Sequence, residues 1–168
     1  MGKGLIKQGK GTLIGNAGEY FVVAELLARG IVAALAPRNA PSFDVLATKG
    51  DKTVRIRVKT GNRRHDNRWR WVVKKDGSIF RDVAGKRDFV VLVDLAPTDD
   101  PNACNEYYIV PTKRVERWLR ESFEEWLKTP GRGGRPHSPQ NSIRGLKFSK
   151  WERKLKRYKN DWDILWRA

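Results

Sequence analysis

The sequence predicts a mixed α/β fold in which one central sheet is flanked by helices. Its 168 residues suit one domain. An apolar helical stretch precedes three short strand patterns, and a continuous apolar run near the middle of the chain is followed by another strand and an amphipathic helix. This order of elements is typical of a layered α/β fold built on one sheet.

The N-terminal part predicts a basic arm and then a buried helix. Residues 1–14 are rich in Gly and Lys and are expected to form the arm. Asn16 is a good N-cap for a helix over residues 17–29, and Glu19 completes a capping-box pattern. Because this helix is apolar almost all round, we expect it to pack against the sheet.

Six strands are predicted after this helix. They cover residues 31–36, 42–48, 53–60, 69–73, 89–95 and 107–110. Gly50 and Asp51 predict a tight hairpin turn between the second strand and the third. The run at 89–95 is apolar almost throughout, which predicts a central strand buried on both faces.

The C-terminal part predicts a helix, a loop and a tail. Pro111 and Thr112 open an amphipathic helix that ends near residue 128. We therefore expect the α/β domain to span residues 15–128. A Pro/Gly loop follows over residues 129–145, and a basic, aromatic tail over 146–168 is expected to pack on the domain.

The charge of the chain predicts a polyanion as its partner. Its 35 Lys and Arg against 19 Asp and Glu give a formal net charge of +16. Most of the excess lies in residues 55–75 and 147–159, and a localised basic surface is typical of nucleic-acid binding. The aromatic residues in these segments are expected to belong to the core. The predicted nucleic-acid contacts are Arg55, Arg57, Arg63, Arg64, Arg68, Arg70, Lys74, Lys150, Arg153, Lys154 and Arg157.

Composition also excludes several classes of protein. The sequence contains no apolar run of about 18 residues, so no transmembrane helix is predicted. It also contains no basic amphipathic anchor, so no membrane partner is predicted. The first residues lack the apolar core of a signal peptide, so a cytoplasmic location is expected. One Cys and two His cannot build a zinc site, so any catalytic metal would be a hard cation held by carboxylates.

Three charged residues occupy positions that suggest chemistry. Asp44 interrupts an apolar strand, Lys59 ends the next strand, and Glu19 lies in the first turn of the predicted helix. Each has an ordinary interpretation taken alone: a capping acid, a paired strand-end acid and a strand-end cation. Two carboxylates and a lysine at one sheet edge would suit metal-assisted phosphodiester hydrolysis, with Mg²⁺ or Mn²⁺ on the carboxylates.

The segments that carry these residues resemble a known family. GNAGEYFVVAELLARG, FDVLAT and TVRIRVKT, followed by DFVVLVDL and EYYIVP, are similar to the PD-(D/E)XK nuclease superfamily, and their spacing looks like that of archaeal Holliday junction resolvases. The resemblance covers residues 15–128. It implies a restriction-endonuclease-like fold, Glu19 and Asp44 as metal ligands, Lys59 as the catalytic lysine, branched or double-stranded DNA as the substrate, and a homodimer.

One position departs from the family pattern. Arg57 stands where the pattern has an acidic or amide ligand, and a guanidinium cannot ligate a metal. If Gly50-Asp51 forms a two-residue turn, Arg57 lies across from Asp44 and could pair with it. Three outcomes stay open: Glu19 and Asp44 hold one metal, Asp66 joins them, or the chain binds nucleic acid without cleaving it. A structural basic protein of a nucleoprotein particle is a further alternative.

Overall fold

A five-stranded mixed sheet forms the centre of the molecule, with helices on both faces. The computed structural model describes residues 11–37, 42–62, 67–80 and 83–167. The elements are α1 (Gly11–Ala28), β1 (Val32–Leu35), β2 (Val45–Lys49), β3 (Lys52–Gly61), β4 (Arg68–Val72), β5 (Asp88–Asp94), β6 (Glu106–Pro111), α2 (Thr112–Lys128), β7 (Ile143–Lys147) and α3 (Phe148–Leu155).

The strand order of the central sheet is β1-β2-β3-β5-β6. β3 and β5 are parallel, and the other neighbouring strands are antiparallel. β4 and β7 pair with each other in a separate two-stranded ribbon. The predicted mixed α/β class, with a central sheet flanked by helices, is confirmed.

Two hydrophobic clusters fill the two faces of the sheet. On one face, Val22 and Leu26 of α1 pack with Ile56 and its apolar neighbours. On the other face, α2, α3 and the inner side of the ribbon cover Val90 and Leu92. All seven residues of β5 are buried, as its apolar run predicts. The sheet therefore lies between two apolar layers, and its strand ends are the places where polar side chains can collect.

The ribbon is anchored to the sheet through its tryptophans. Trp69 and Trp71 point inward, and Nε1 of Trp69 donates a hydrogen bond to the carbonyl oxygen of Val93 at 3.1 Å. Trp151 and Tyr158 of the C-terminal segment are buried in the same cluster. The expectation that the aromatic residues of the two basic segments are core residues is therefore confirmed for these four.

The C-terminal segment covers the β6 side of the sheet. Short 3₁₀ turns follow α3, and Trp162 and Leu165 are buried in the cluster on the α1 face. The ammonium of Lys52 donates to the carbonyl oxygen of Trp166 at 2.9 Å, which joins this segment to the start of β3. Within the described ranges, no helix is long and apolar enough to cross a membrane.

Two local predictions are wrong. α1 begins at Gly11, so Asn16 lies inside the helix and is not its N-cap. The capping-box pattern is a short-range signal, and the helix continues through it because Ile14 and the residues after it can still pack. The second is the loop over residues 129–145: its residues 143–145 belong to β7, a strand that is paired with β4 and that the sequence pattern does not predict. Residues 1–10, most of the predicted arm, lie outside the described residues.

Candidate functional site

The β2–β3 hairpin positions Asp44. Lys49 pairs with Lys52 across the two-residue turn, and Gly50 adopts a φ of 61°, which only glycine reaches without strain. The register continues to the pair Val45 and Ile56. Asp44 is the next residue, so it lies opposite Arg57, as the predicted turn length requires.

Asp44 is held by the backbone on both sides. Its N–H donates to the carbonyl of Ile56 at 2.9 Å, and its carbonyl accepts the N–H of Ala36 at 2.8 Å. The carboxylate accepts the N–H of Val58 through Oδ2 at 2.7 Å. In the described structure no ion pair joins Asp44 to Arg57, so the carboxylate is oriented by β3 and is not neutralised by that guanidinium.

Lys59 lies two residues beyond Arg57 on the same face of β3. Partial burial lowers the pKa of Lys59 below its ordinary value, the charge of Arg57 lowers this pKa further, and the charge of Asp44 raises it. The Nζ atom lies 5.6 Å from the ring centroid of Trp71, on the inner side of the ribbon. Asp44 and Lys59 are therefore electrostatic neighbours at the end of a partly covered strand.

α1 reaches the same end of β3 from the opposite face. Gly18 faces Thr60, and a Cβ atom added at Gly18 would lie 1.9 Å from Thr60 Oγ1. Glu19 follows directly and is half-buried. Thr60 and Lys59 are consecutive residues, so their side chains point to opposite faces of the strand. The structure therefore places Asp44 and Lys59 together on one face of β3 and Glu19 beside the other face, on the α1 side.

The orientation of Asp44 suits a hard cation that has few protein ligands. In the part of the chain that the structure describes, no group of three Asp, Glu, His or Cys residues could hold a metal. Mg²⁺ commonly binds through one or two carboxylates and keeps several of its waters. Ligating carboxylates are usually fixed by an outer hydrogen bond, and the bond from Val58 to Asp44 is of this kind.

Arg55 has a different environment from the one expected of a nucleic-acid contact. Its guanidinium makes two hydrogen bonds to Asp88, from Nε to Oδ1 at 2.7 Å and from one terminal nitrogen to Oδ2 at 2.8 Å. Asp88 is 1% exposed and also accepts the N–H of Gly85. The parallel register of β3 and β5, which places Arg55 beside Asp88, creates this pair. The sequence does not reveal that register, so Asp88 was missed.

The other predicted contacts differ in their exposure. Arg68 and Arg70 are exposed on the outer side of the ribbon, and Arg57 and Lys74 are half-buried. Arg63 and Arg64 lie outside the described residues, as does the alternative ligand Asp66. The remaining four are exposed on α3 and the turn after it: Lys150, Arg153, Lys154 and Arg157.

Comparisons with known proteins give structural likenesses and no family match. No protein-family model matches the chain, and no curated protein matches it significantly. The chain is similar in structure to Hjc, a Holliday junction resolvase of Archaeoglobus fulgidus, at 13% sequence identity. The match covers 82% of this chain and 87% of that one, with a TM-score of 0.47. At this level of likeness no functional conclusion follows from the match.

Proposed function

We propose that this protein binds DNA and hydrolyses phosphodiester bonds with Mg²⁺ or Mn²⁺. The observation that carries the proposal is the placement of Asp44 and Lys59 on one face of the sheet, with Asp44 oriented by the N–H of Val58. A carboxylate beside a partly buried lysine is a common arrangement where a phosphate must be bound and a cation held. The charge of +16 supports a polyanionic substrate.

Each side chain has a defined role in this proposal. Asp44 holds the cation, which when bound supplies a Lewis acid and a water of lowered pKa. Glu19, the second ligand that the family resemblance implies, approaches the end of β3 from the α1 face and would have to reach past Thr60 to share that cation. Lys59 contacts a phosphate oxygen and stabilises the charge that develops there. Its lowered pKa follows mainly from burial, and a phosphate beside the ammonium would offset that cost.

Binding without cleavage is the second candidate, and Arg57 is the observation that favours it. Arg57 lies beside Asp44, which is bonded to both neighbours of Arg57, and it is close enough to Lys59 to lower the pKa of that lysine. Two cations beside a single carboxylate attract a phosphate and oppose a metal ion. In this case the same corner would hold the backbone of DNA and leave it intact.

The deciding experiment compares the wild type with Asp44→Asn on branched and supercoiled DNA, with Mg²⁺ or Mn²⁺. Asparagine keeps an acceptor for the N–H of Val58 and removes the negative charge, so folding is preserved better than in Asp44→Ala, which leaves that donor without its partner. We expect Asp44→Asn to abolish cutting and to retain binding. A wild type that binds DNA tightly but cuts it with neither metal would refute hydrolysis and establish the second candidate.

We also propose that the protein is a homodimer whose two subunits contact each other through α1. Leu13, Tyr20 and Leu27 recur at seven-residue spacing and are 65%, 64% and 52% exposed. Residues 13–28 contain two acids and no Lys or Arg. Because two copies of charge +16 repel each other, this apolar face without Lys or Arg is the surface on which they can approach.

The dimer is tested by sedimentation velocity. We expect Leu27→Lys to shift the protein to a monomer, since it buries a cation in the interface. Val72→Lys is the matched control because it adds the same charge at another exposed apolar position, 69% exposed on the ribbon. Equal sedimentation of Leu27→Lys and the control would show that α1 is not the interface.

A further inference from the structure

A groove lies between α2 and the outer side of the β4–β7 ribbon. Its volume is about 490 Å³, and α3 contributes Lys150 at one end. Ser122 of α2 donates to the carbonyl of Gly145 at 2.9 Å, which fixes the helix beside β7. The ribbon separates this groove from Asp44 and Lys59. Trp71 on the inner side of the ribbon faces Lys59, whereas Arg70, which lines the groove, points to the outer side.

The groove is strongly cationic. Arg68, Arg70, Lys147 and Lys150 line it, and Glu125, which forms an ion pair with Lys150, is the acid among the described lining residues. Arg68 and Lys147 are directly opposite each other in the ribbon. This register places two cations side by side on the outer side of the ribbon, where both can contact successive phosphates.

The floor of the groove is kept open by Gly145. This glycine lies opposite Arg70, in the middle of a strand, where glycine weakens the ladder. The packing does not require it: an added Cβ would meet nothing closer than the carbonyl oxygen of Trp69 at 3.4 Å. A strand glycine that packing does not demand is typical of a place where a ligand approaches the backbone.

The α2 wall of the groove is aromatic and rigid. Phe123 and Trp126 line it, and their rings stack with centroids 5.5 Å apart. The guanidinium of Arg144 lies 3.3 Å from the centroid of Phe123, and the ring of His137 stacks on Trp126 at 3.8 Å. This stack of Arg144, Phe123, Trp126 and His137 joins the loop that carries His137 to α2 and leaves mainly the edges of the two aromatic rings to line the groove.

The size of the groove selects among nucleic acids. A groove of about 490 Å³ cannot enclose a duplex, whose major groove alone is about 12 Å wide. A duplex could contact only the rim of this groove with its backbone. The phosphates of one strand can follow the cations along the groove, as in other proteins that bind single strands.

We propose that this groove binds a single-stranded DNA segment, with its phosphates on Arg68, Arg70, Lys147 and Lys150. The inference deepens the proposed DNA-binding function, on which it rests, by naming a second contact surface. A protein with one surface for a strand end and another for the scissile phosphate is suited to DNA in which strands leave the duplex.

The test measures binding of a fluorescent 12-nucleotide oligothymidylate by anisotropy over a range of salt concentrations. The groove variant is Arg70→Gln/Lys147→Gln. Lys86→Gln/Arg87→Gln is the matched control, since it removes two exposed cations from the segment before β5. Loss of two phosphate contacts should reduce the salt slope by about 1.4, which is about a 25-fold loss of affinity at 0.1 M salt. The control should stay close to wild type.

A second variant tests the shape of the site without changing its charge. Gly145→Val adds a β-branched residue that suits a strand and fills the floor beside Arg70. We expect weaker oligothymidylate binding with a thermal unfolding transition that is no lower than that of the wild type. Wild-type affinity in Gly145→Val, or equal losses in the groove and control double variants, would overturn the proposal.

The proposal that the protein cleaves DNA is tested separately. Asp44→Asn should bind the oligothymidylate like wild type, because Asp44 is not part of the groove. One outcome is that the wild type binds the oligothymidylate but cuts no DNA, and that the groove variant no longer binds the oligothymidylate. This outcome establishes the groove and refutes hydrolysis. If the wild type cuts DNA and does not bind the oligothymidylate, the groove proposal alone fails.

Discussion

Replacing Gly18 by alanine tests how α1 is seated on β3. The added methyl group would lie 1.9 Å from Oγ1, 2.9 Å from Cγ2 and 3.0 Å from Cβ of Thr60. Rotation of the threonine does not relieve the overlap, because Cβ itself is too close. The helix must therefore move away from the strand, and Glu19 moves with it.

The expected loss of stability in Gly18→Ala follows from a comparison with a matched variant. Gly15 is in the same helix, and an added Cβ there would meet nothing within 4 Å. Both alanines gain about 1 kcal/mol of helix propensity relative to glycine, whereas overpacking at Gly18 costs about 1–3 kcal/mol. Propensity cancels in the comparison, so Gly18→Ala should be less stable than Gly15→Ala by about 1–3 kcal/mol.

Thermal unfolding followed by circular dichroism measures this difference. In a chain of this size, 1 kcal/mol corresponds to about 2–4 °C in the melting temperature. Gly15→Ala should melt above wild type, and Gly18→Ala should melt at or below it. The double variant Gly18→Ala/Thr60→Ala should recover part of the loss, because it removes the two closest atoms. Equal melting temperatures for the two single alanine variants would refute the tight seat of α1.

Two further predictions concern charged residues of β3. Arg55→Gln should lower the free energy of unfolding by about 1–3 kcal/mol, because it removes two hydrogen bonds to the buried carboxylate of Asp88. Glu121→Gln, which breaks the exposed ion pair with Lys154, should lower the free energy of unfolding by less than about 1 kcal/mol. Urea unfolding measures both. Arg57→Gln should raise the pKa of Lys59, because the guanidinium lowers it, and NMR titration of the lysine Cε and Nζ signals measures this shift. Below its lowered pKa, the protonated Lys59 destabilises the folded protein relative to the unfolded chain. The free energy of unfolding should therefore rise with pH between the lowered pKa of Lys59 and the ordinary pKa of lysine. Arg57→Gln should reduce this alkaline gain, and an unchanged gain would show that Arg57 does not act on Lys59.

The sequence predicted the elements whose signals are local. The apolar run of β5, the alternation in β3 and the helical spacing in α2 each identify an element without knowledge of its neighbours. The two-residue turn at Gly50 also set the register of the hairpin, and with it the position of Asp44 opposite Arg57. Strand alternation fixes which side chains share a face, so the Asp44–Lys59 pair could be predicted as well.

The sequence by itself determined the class of fold, the hairpin that carries Asp44 and Lys59, and the excess of positive charge. Only the tertiary structure decided how that charge is used. Arg55 is bound to a buried acid because β3 and β5 are parallel in a register that no local pattern encodes. The cationic groove exists because β7, which has no clear strand pattern, gains its hydrogen bonds and buried contacts by pairing with β4, some 70 residues away. Contacts between distant segments depend on the packing of the whole chain, and this is why they could not be predicted from the sequence.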